Sequence, residues 1–259
     1  MKNIFKIIYI TFFLIVGTFQ VNAAEKVNLL KTDWSFKGLF GKFDRGSLQR
    51  GYQVYTEVCA SCHSMKYLSY RNLAEKGGPE FSIEQVKAIA ASFEVTDGPN
   101  SDGEMFERPA KLSDKFVKPY ENVKAAQAAN GGAYPPDMSV LAKARSGGVD
   151  YIYSVLLGYE DPPSGVTLDD GVYYNKYMYG NNIKMAQPLS DGLIEYTDGT
   201  IASEEQMAKD VSTFLMWAAE PHLEARHKMG FKAILYLIIL TILVYFSMKK
   251  IWSRIETEV

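Results

Sequence analysis

A chain of 259 residues that is 47% hydrophobic is long enough for one large domain or two small ones, and too apolar to be disordered. Two cysteines spaced C-x-x-C exclude a disulfide framework spread across the fold, and with a formal charge of −2 no nucleic-acid partner is expected. That small net charge is unevenly laid out: both ends are apolar and lysine-flanked, and the middle carries most of the acid.

Residues 1–23 open with Lys2 and Lys6, continue through the apolar run from Ile7 to Phe19, and end on Val21-Asn22-Ala23. Small residues at the positions a signal peptidase reads make this a cleaved secretory signal rather than an uncleaved anchor. Downstream, Gly51, Tyr55 and Val58 fall on one face of a helix, with Tyr52 beside them, so an amphipathic helix is expected to lead into the next feature.

That feature is Cys59-Ala60-Ser61-Cys62-His63. A dithiol oxidoreductase usually has Trp, Gly, Pro or His between its cysteines, and Ala60-Ser61 fits poorly. A structural zinc site needs four ligands, and no second cysteine pair exists. Covalent attachment of a c-type haem uses all three residues: each thiol adds to a vinyl group and the histidine comes under the iron.

A haem iron bound by one histidine needs a sixth ligand or an open position. Of ten methionines, Met105, Met138, Met178 and Met185 remain once those in the leader, the helices and the immediate neighbourhood of His63 are set aside. Spacing does not choose among the four. Acid gathers at Glu94, Asp97, Asp102, Glu104 and Glu107, and again at Asp191, Glu195 and Asp198; such runs are solvated faces that can also steer a basic partner.

Ser203-Glu204-Glu205-Gln206 reads as a capping box opening a helix with Met207, Val211, Phe214, Leu215 and Trp217 on one side, closed near Pro221. First and last helices crossing at a glycine are a packing that class I cytochromes c use. His222 and His227 follow among charged residues and are assigned no chemistry. From Ala233 to Met248 no charge occurs for sixteen residues, and with flanking residues the apolar stretch is long enough to cross a bilayer. The basic residues on its two sides do not orient it; the leader places the domain outside and the tail in the cytoplasm.

The segments EVCASCHSMKYLSYRNL, DGPNSDGEMFERPAKLSD, GGAYPPDMSVLAKARSGGVDYIYSVLLGY, NNIKMAQPLSDGLIEYTDGT and AKDVSTFLMWAAEP, in that order before one membrane helix, closely resemble the cytochrome c1 family. This is the haem c subunit of the cytochrome bc1 complex, and the resemblance covers essentially the whole mature chain. It implies a mainly α, class I cytochrome c-like haem domain with long loop insertions plus one C-terminal transmembrane helix. The expected layout is a signal at 1–23, a periplasmic haem domain at 24–221, a juxtamembrane connection at 222–232, a transmembrane helix at 233–252 and a cytoplasmic tail at 253–259.

By the same resemblance one haem c is attached through Cys59 and Cys62, Met185 is the sixth ligand trans to His63, and Arg145 meets a haem propionate with Tyr151 nearby. Pro135 and Pro136 wall the haem, and Tyr67 to Leu73 begin its pocket. The implied partners are cytochrome b, the Rieske iron-sulfur protein and a soluble cytochrome c, in a complex expected to be dimeric. Glu94, Asp97, Asp102, Glu104, Asp191, Glu195 and Asp198 would dock the soluble partner. The subunit would pass electrons without itself making or breaking bonds, in a bacterial cytoplasmic membrane with its domain in the periplasm. Two other readings are a free-standing membrane-anchored cytochrome c serving a terminal oxidase, and a dithiol oxidoreductase.

Overall fold

The computed structural model describes residues 27–255, so the leader expected at 1–23 and the last part of the expected tail lie outside the described residues. Seven α-helices occur among them: α1 (Arg45–Glu57), α2 (Ile83–Ala91), α3 (Val123–Ala129), α4 (Leu141–Ala144), α5 (Val149–Leu156), α6 (Glu204–Ala219) and α7 (Leu223–Ile255). Two antiparallel ribbons interrupt them. β1 (Glu94–Asp97) pairs with β2 (Phe106–Pro109), and β3 (Tyr173–Tyr174) pairs with β4 (Asn182–Ile183). The mainly helical fold with one apolar C-terminal helix is the expected one.

Helices α1, α2 and α6 each start where the sequence provides a side-chain cap. Asp44 accepts the Ser47 N–H at 2.7 Å to open α1, and at α2 Ser82 and Gln85 make a reciprocal box at 3.2 and 2.8 Å. At α6 only half of the expected box forms. Ser203 Oγ accepts the Gln206 N–H at 3.2 Å, while the Gln206 side chain turns to Asp210 and Asp191 takes the Glu204 N–H at 2.7 Å.

Helices α1 and α6 cross at Gly51, where an added Cβ would lie 2.1 Å from the Asp210 carbonyl oxygen and 2.7 Å from Phe214 Cβ. No side chain fits there, so the glycine sets the separation of the two helices. Around the crossing, Tyr52 and Tyr55 meet Phe214 with ring centroids 5.8 and 5.9 Å apart. Tyr70 and Phe116 extend the cluster at 5.0 Å, and Leu48, Met207 and Trp217 are buried in the same core.

Charge is buried at the crossing as well. Arg50 donates to both oxygens of Asp210, at 2.8 and 3.1 Å, and to Asp198 at 2.8 Å. The Asp210 side chain is fully buried, so the arginine compensates a carboxylate that water does not reach. Before α1, the strap from Val27 to Asp44 is fastened by Trp34, whose Nε1–H donates to Asp150 on α5, with Lys37 also bonded to that carboxylate.

Among the described residues, α7 alone is long and apolar enough to cross a membrane; the mean hydropathy of its most apolar window is 2.2, and that window has no buried residues. It is continuous from Leu223, so most of 222–232, expected as a connection, forms the first turns of the same helix. Glu224, in the first of those turns, receives Arg45 at 2.8 and 3.0 Å and the Phe43 N–H at 3.0 Å. The start of α1 is thereby held to the start of α7.

Candidate haem site

Helix α1 ends at Glu57, and the chain tightens into a 3₁₀ turn at Cys59–Ser61. Within it the Cys62 and His63 N–H groups both donate to the Cys59 carbonyl, at 3.1 and 2.9 Å. The turn gathers two thiols and an imidazole at the end of a helix that is fixed at its other end and its middle. Both cysteines are free and half-buried.

His63 is buried, and its Nδ1 lies 2.8 Å from the Pro136 carbonyl oxygen. A carbonyl only accepts, so Nδ1 carries the proton and the Nε2 lone pair is left for another partner. Burial lowers the ring's affinity for a second proton, against the opposite pull of the Pro136 carbonyl and Asp137, which keeps the imidazole neutral. A neutral ring held at one nitrogen and free at the other is the form that binds iron.

The segment carrying Pro136 is itself clamped to the motif. Asp137 accepts from Ser64 Oγ at 2.8 Å, from the Lys66 N–H at 3.0 Å and from the Ser139 N–H at 3.0 Å. Burial would raise this carboxyl, but those donors outweigh it and hold it below the usual carboxylate range. The Met138 N–H donates to the Ser64 carbonyl at 2.8 Å, and the Tyr67 N–H to Ser139 Oγ at 3.0 Å. Prolines 135 and 136 were expected only as a wall; the Pro136 carbonyl is the group that orients His63.

The segment from Tyr120 to Ser139 also connects the motif to the methionine loop. Tyr120 Oη lies 4.0 Å from Cys62 Sγ and accepts from Asn130 Nδ2 at 3.1 Å, and Lys184 Nζ donates to the Gly131 carbonyl at 3.2 Å. Met185 follows β4, half-buried, and its carbonyl accepts from Tyr159 Oη at 3.0 Å. The other three methionines sit differently. Met105 is 59% exposed, Met138 is buried in the core cluster, and the Met178 sulfur accepts from Tyr151 Oη at 3.1 Å. Tyr151, expected beside a propionate, is thus engaged with a thioether here.

Arg145 follows α4 and is exposed; its one side-chain hydrogen bond among the described residues goes to the adjacent Ala144 carbonyl, at 3.2 Å. It has no carboxylate partner among them, so a planar, always-charged fork remains available. Of the residues expected to begin the pocket wall, Tyr67 is 59% exposed, while Tyr70 and Leu73 point into the core.

The acidic residues divide into two kinds. Asp97 pairs with Arg108, Asp198 with Arg50, and Asp191 caps α6, so these three are engaged within the domain. Glu94, Asp102, Glu104 and Glu195 have no basic side chain bound to them among the described residues and carry uncompensated charge. Ser92 and Phe93, just before the β1–β2 hairpin, line a groove together with Thr197, Asp198 and, from α1, Arg50 and Gln53.

The donor set separates the chemistries left open by the motif. Burial, and then the neighbouring Cys62, push the Cys59 thiol up to about 12, which disfavours the thiolate that dithiol exchange needs. No cluster of three or more His, Cys, Asp or Glu able to hold a metal occurs among the described residues. Two free thiols, an imidazole with Nε2 free and a guanidinium without a carboxylate fit a covalently attached haem with its two propionates.

The model of the cytochrome C1 family matches residues 34–255. The chain belongs to the cytochrome c1 family. It is 52% identical over 239 residues to a "Cytochrome b/c1" of Bradyrhizobium diazoefficiens, covering 85% of this chain and 35% of that longer relative. A "Cytochrome c1-2, heme protein, mitochondrial" of Solanum tuberosum is 49% identical over 225 residues, 87% of this chain and 85% of its own. A "Cytochrome b-c1 complex catalytic subunit, mitochondrial" of Candida albicans is 48% identical over 227 residues, 87% of this chain and 78% of its own. The family match begins at Trp34, the residue that fastens the strap to α5, and ends with α7.

Sequence reasoning missed the Asp137 clamp, Tyr120, Tyr159 and the Arg50–Asp210 pair. For Asp137 a signal was present, since Asp-x-Ser commonly folds into a local turn. For the others nothing in the linear order marks a partner that arrives from far along the chain.

Proposed function

We propose that this chain is the membrane-anchored haem c subunit of a cytochrome b-c1 complex, receiving electrons from a Rieske iron-sulfur protein and delivering them to a soluble cytochrome c. Cytochrome b is the remaining core partner, the complex is a dimer as the family resemblance implies, and quinol chemistry belongs to the assembly rather than to this subunit. The observation that carries the reading is the Pro136 carbonyl on His63 Nδ1, at 2.8 Å, directly behind two free cysteines.

Cys59 and Cys62 would hold the haem as thioether tethers, and His63 Nε2 and the Met185 sulfur would bind its iron. Haem bound there supplies one-electron redox chemistry, and His/Met ligation raises its potential and leaves no position for a substrate. Arg145 would hold a propionate of that haem. Tyr159 and Lys184 hold the backbone on either side of the Met185 side chain, through its own carbonyl and through Gly131. None of these residues has to move a proton for an electron to pass. Helix α7 spans a bacterial cytoplasmic membrane, and the leader at 1–23 puts the domain in the periplasm.

The test is purification of the haem-loaded full chain from its own membranes in mild detergent. A haem that survives acid-acetone extraction, together with cytochrome b and a Rieske protein in the same fractions, is the expected result. Covalent haem without those partners would replace the reading with a free-standing shuttle; absence of haem bands would remove it.

A further inference from the structure

The strap before α1 contains a turn whose side chains are inverted. Its neck is apolar and buried, through Phe36 and Phe43, and is closed by the Lys42 N–H on the Ser35 carbonyl at 3.0 Å. Its tip is Gly38-Leu39-Phe40-Gly41, with Leu39 60% and Phe40 73% exposed. The turn is a built one: Gly38 has φ of +86°, and a Cβ on Gly41 would lie 2.3 Å from the Phe36 carbonyl oxygen. Single exposed apolar residues are ordinary, but two adjacent ones held outward on a glycine-framed tip are not explained by the domain's own packing.

Position says what covers them. The Phe40 ring lies 6.1 Å from the ring of Phe231, on α7. Phe231 stands two residues before Ala233, where the uncharged stretch begins, which is roughly 3 Å of axial rise. Phe40 therefore stands at the level where the hydrocarbon starts. Lys42 and Lys232, both exposed, stand next to the tip and to Phe231, and their long side chains reach outward to lipid phosphates. The tip is continuous with a helix surface that is exposed on all sides and made for lipid.

We infer that Leu39 and Phe40 insert into the boundary between glycerol and acyl chains of the outer leaflet, giving the domain a second contact with phospholipid besides α7. One contact leaves a domain free to swing about its anchor. Two contacts, with Arg45 holding Glu224 between them, fix its tilt over the bilayer.

The inference rests on α7 spanning the membrane, and a benzophenone cross-linking experiment separates the two. p-Benzoylphenylalanine is placed at Phe40, at Leu240 in the middle of α7, or at Ile201, which is 83% exposed, in the full haem-loaded chain in native membranes. After irradiation, mass spectrometry reads what each position has captured. The expected result is phospholipid adducts at 40 and 240, with the yield at 40 at least about fivefold above that at 201. Lipid at 240 with capture of another polypeptide, or nothing, at 40 overturns the inference and leaves the span intact. No lipid at 240 overturns both. If the variant at 40 lacks haem absorbance, the probe moves to Leu39, where the same three outcomes apply.

Discussion

Replacing Arg50 with methionine is the sharpest test of how the haem-bearing helix is held. Arg50 supplies two donors to Asp210, at 2.8 and 3.1 Å, and the Asp210 side chain is fully buried. In R50M that carboxylate keeps Gln206 Nε2, at 2.9 Å, and the neighbouring Tyr196 hydroxyl. Leaving a buried charge without its partner costs about 3–5 kcal/mol, and the half-exposed Asp198 adds at most ~1 kcal/mol. With the Gln206 bond retained, the lower end, about 3 kcal/mol, is the expected loss, or roughly 6–12 °C in melting temperature for a domain of this size. Circular dichroism of the haem-loaded chain in detergent reads it directly. A double variant, R50M with D210M, should recover to within about 1 kcal/mol of the parent, because apolar residues of similar volume replace such pairs at little cost. A melting temperature in R50M within ~2 °C of the parent would refute the account of the crossing, as would a double variant less stable than the single one.

Acid titration probes the same cluster from its exposed side: the Thr200 N–H first, and Arg50 second, hold the Asp198 carboxyl at about 2 against an ordinary 3.8. Its stabilising contribution is therefore complete above roughly pH 4 and is lost as pH falls toward 2, and R50M should lose part of that acid sensitivity. M185L should lower the reduction potential by at least ~0.1 V, a fraction of the ~0.8 V that axial ligands span, while M178L and M138L leave it near the parent value; redox titration of the haem band decides. Y159F removes the donor to the Met185 carbonyl, about 1 kcal/mol of restraint, and should speed displacement of the sixth ligand by added cyanide about fivefold without changing the haem content. Neutralising Asp102, Glu104 and Glu195 together should slow reduction of a basic cytochrome c by up to ~10-fold at low salt in stopped-flow, whereas D97N or D198N, whose charges Arg108 and Arg50 already offset, should do much less.

The parts legible in the sequence were those whose physics is local or periodic. The C-x-x-C-H motif is a five-residue pattern, the apolar stretch of α7 is a matter of length, and Gly51 with Tyr55 announced a close helix crossing because a missing side chain and an aromatic one turn later share a face. What could not be read depends on partners brought from elsewhere. Asp210 looks like any polar residue on a helix until Arg50 is found against it, 160 positions away. Asp191 looked like a docking charge and caps α6; Pro136 looked like a wall, and its carbonyl, which no sequence pattern points out, sets the tautomer of His63. The choice of Met185 came from family resemblance; the structure places Met178 on Tyr151 and Met138 in the core.

Helix α1 has a further consequence as a ruler. Its first residue, Arg45, is bonded to Glu224 at the foot of the membrane helix, and its last leads into Cys59. The rise from one to the other is about 20 Å at 1.5 Å per residue. The haem motif thus stands at most that far above Glu224, which itself lies nine residues, about 14 Å of helix, before Ala233. Inserting or deleting one turn of α1 would raise or lower the haem motif by about 5 Å relative to the foot of the membrane helix.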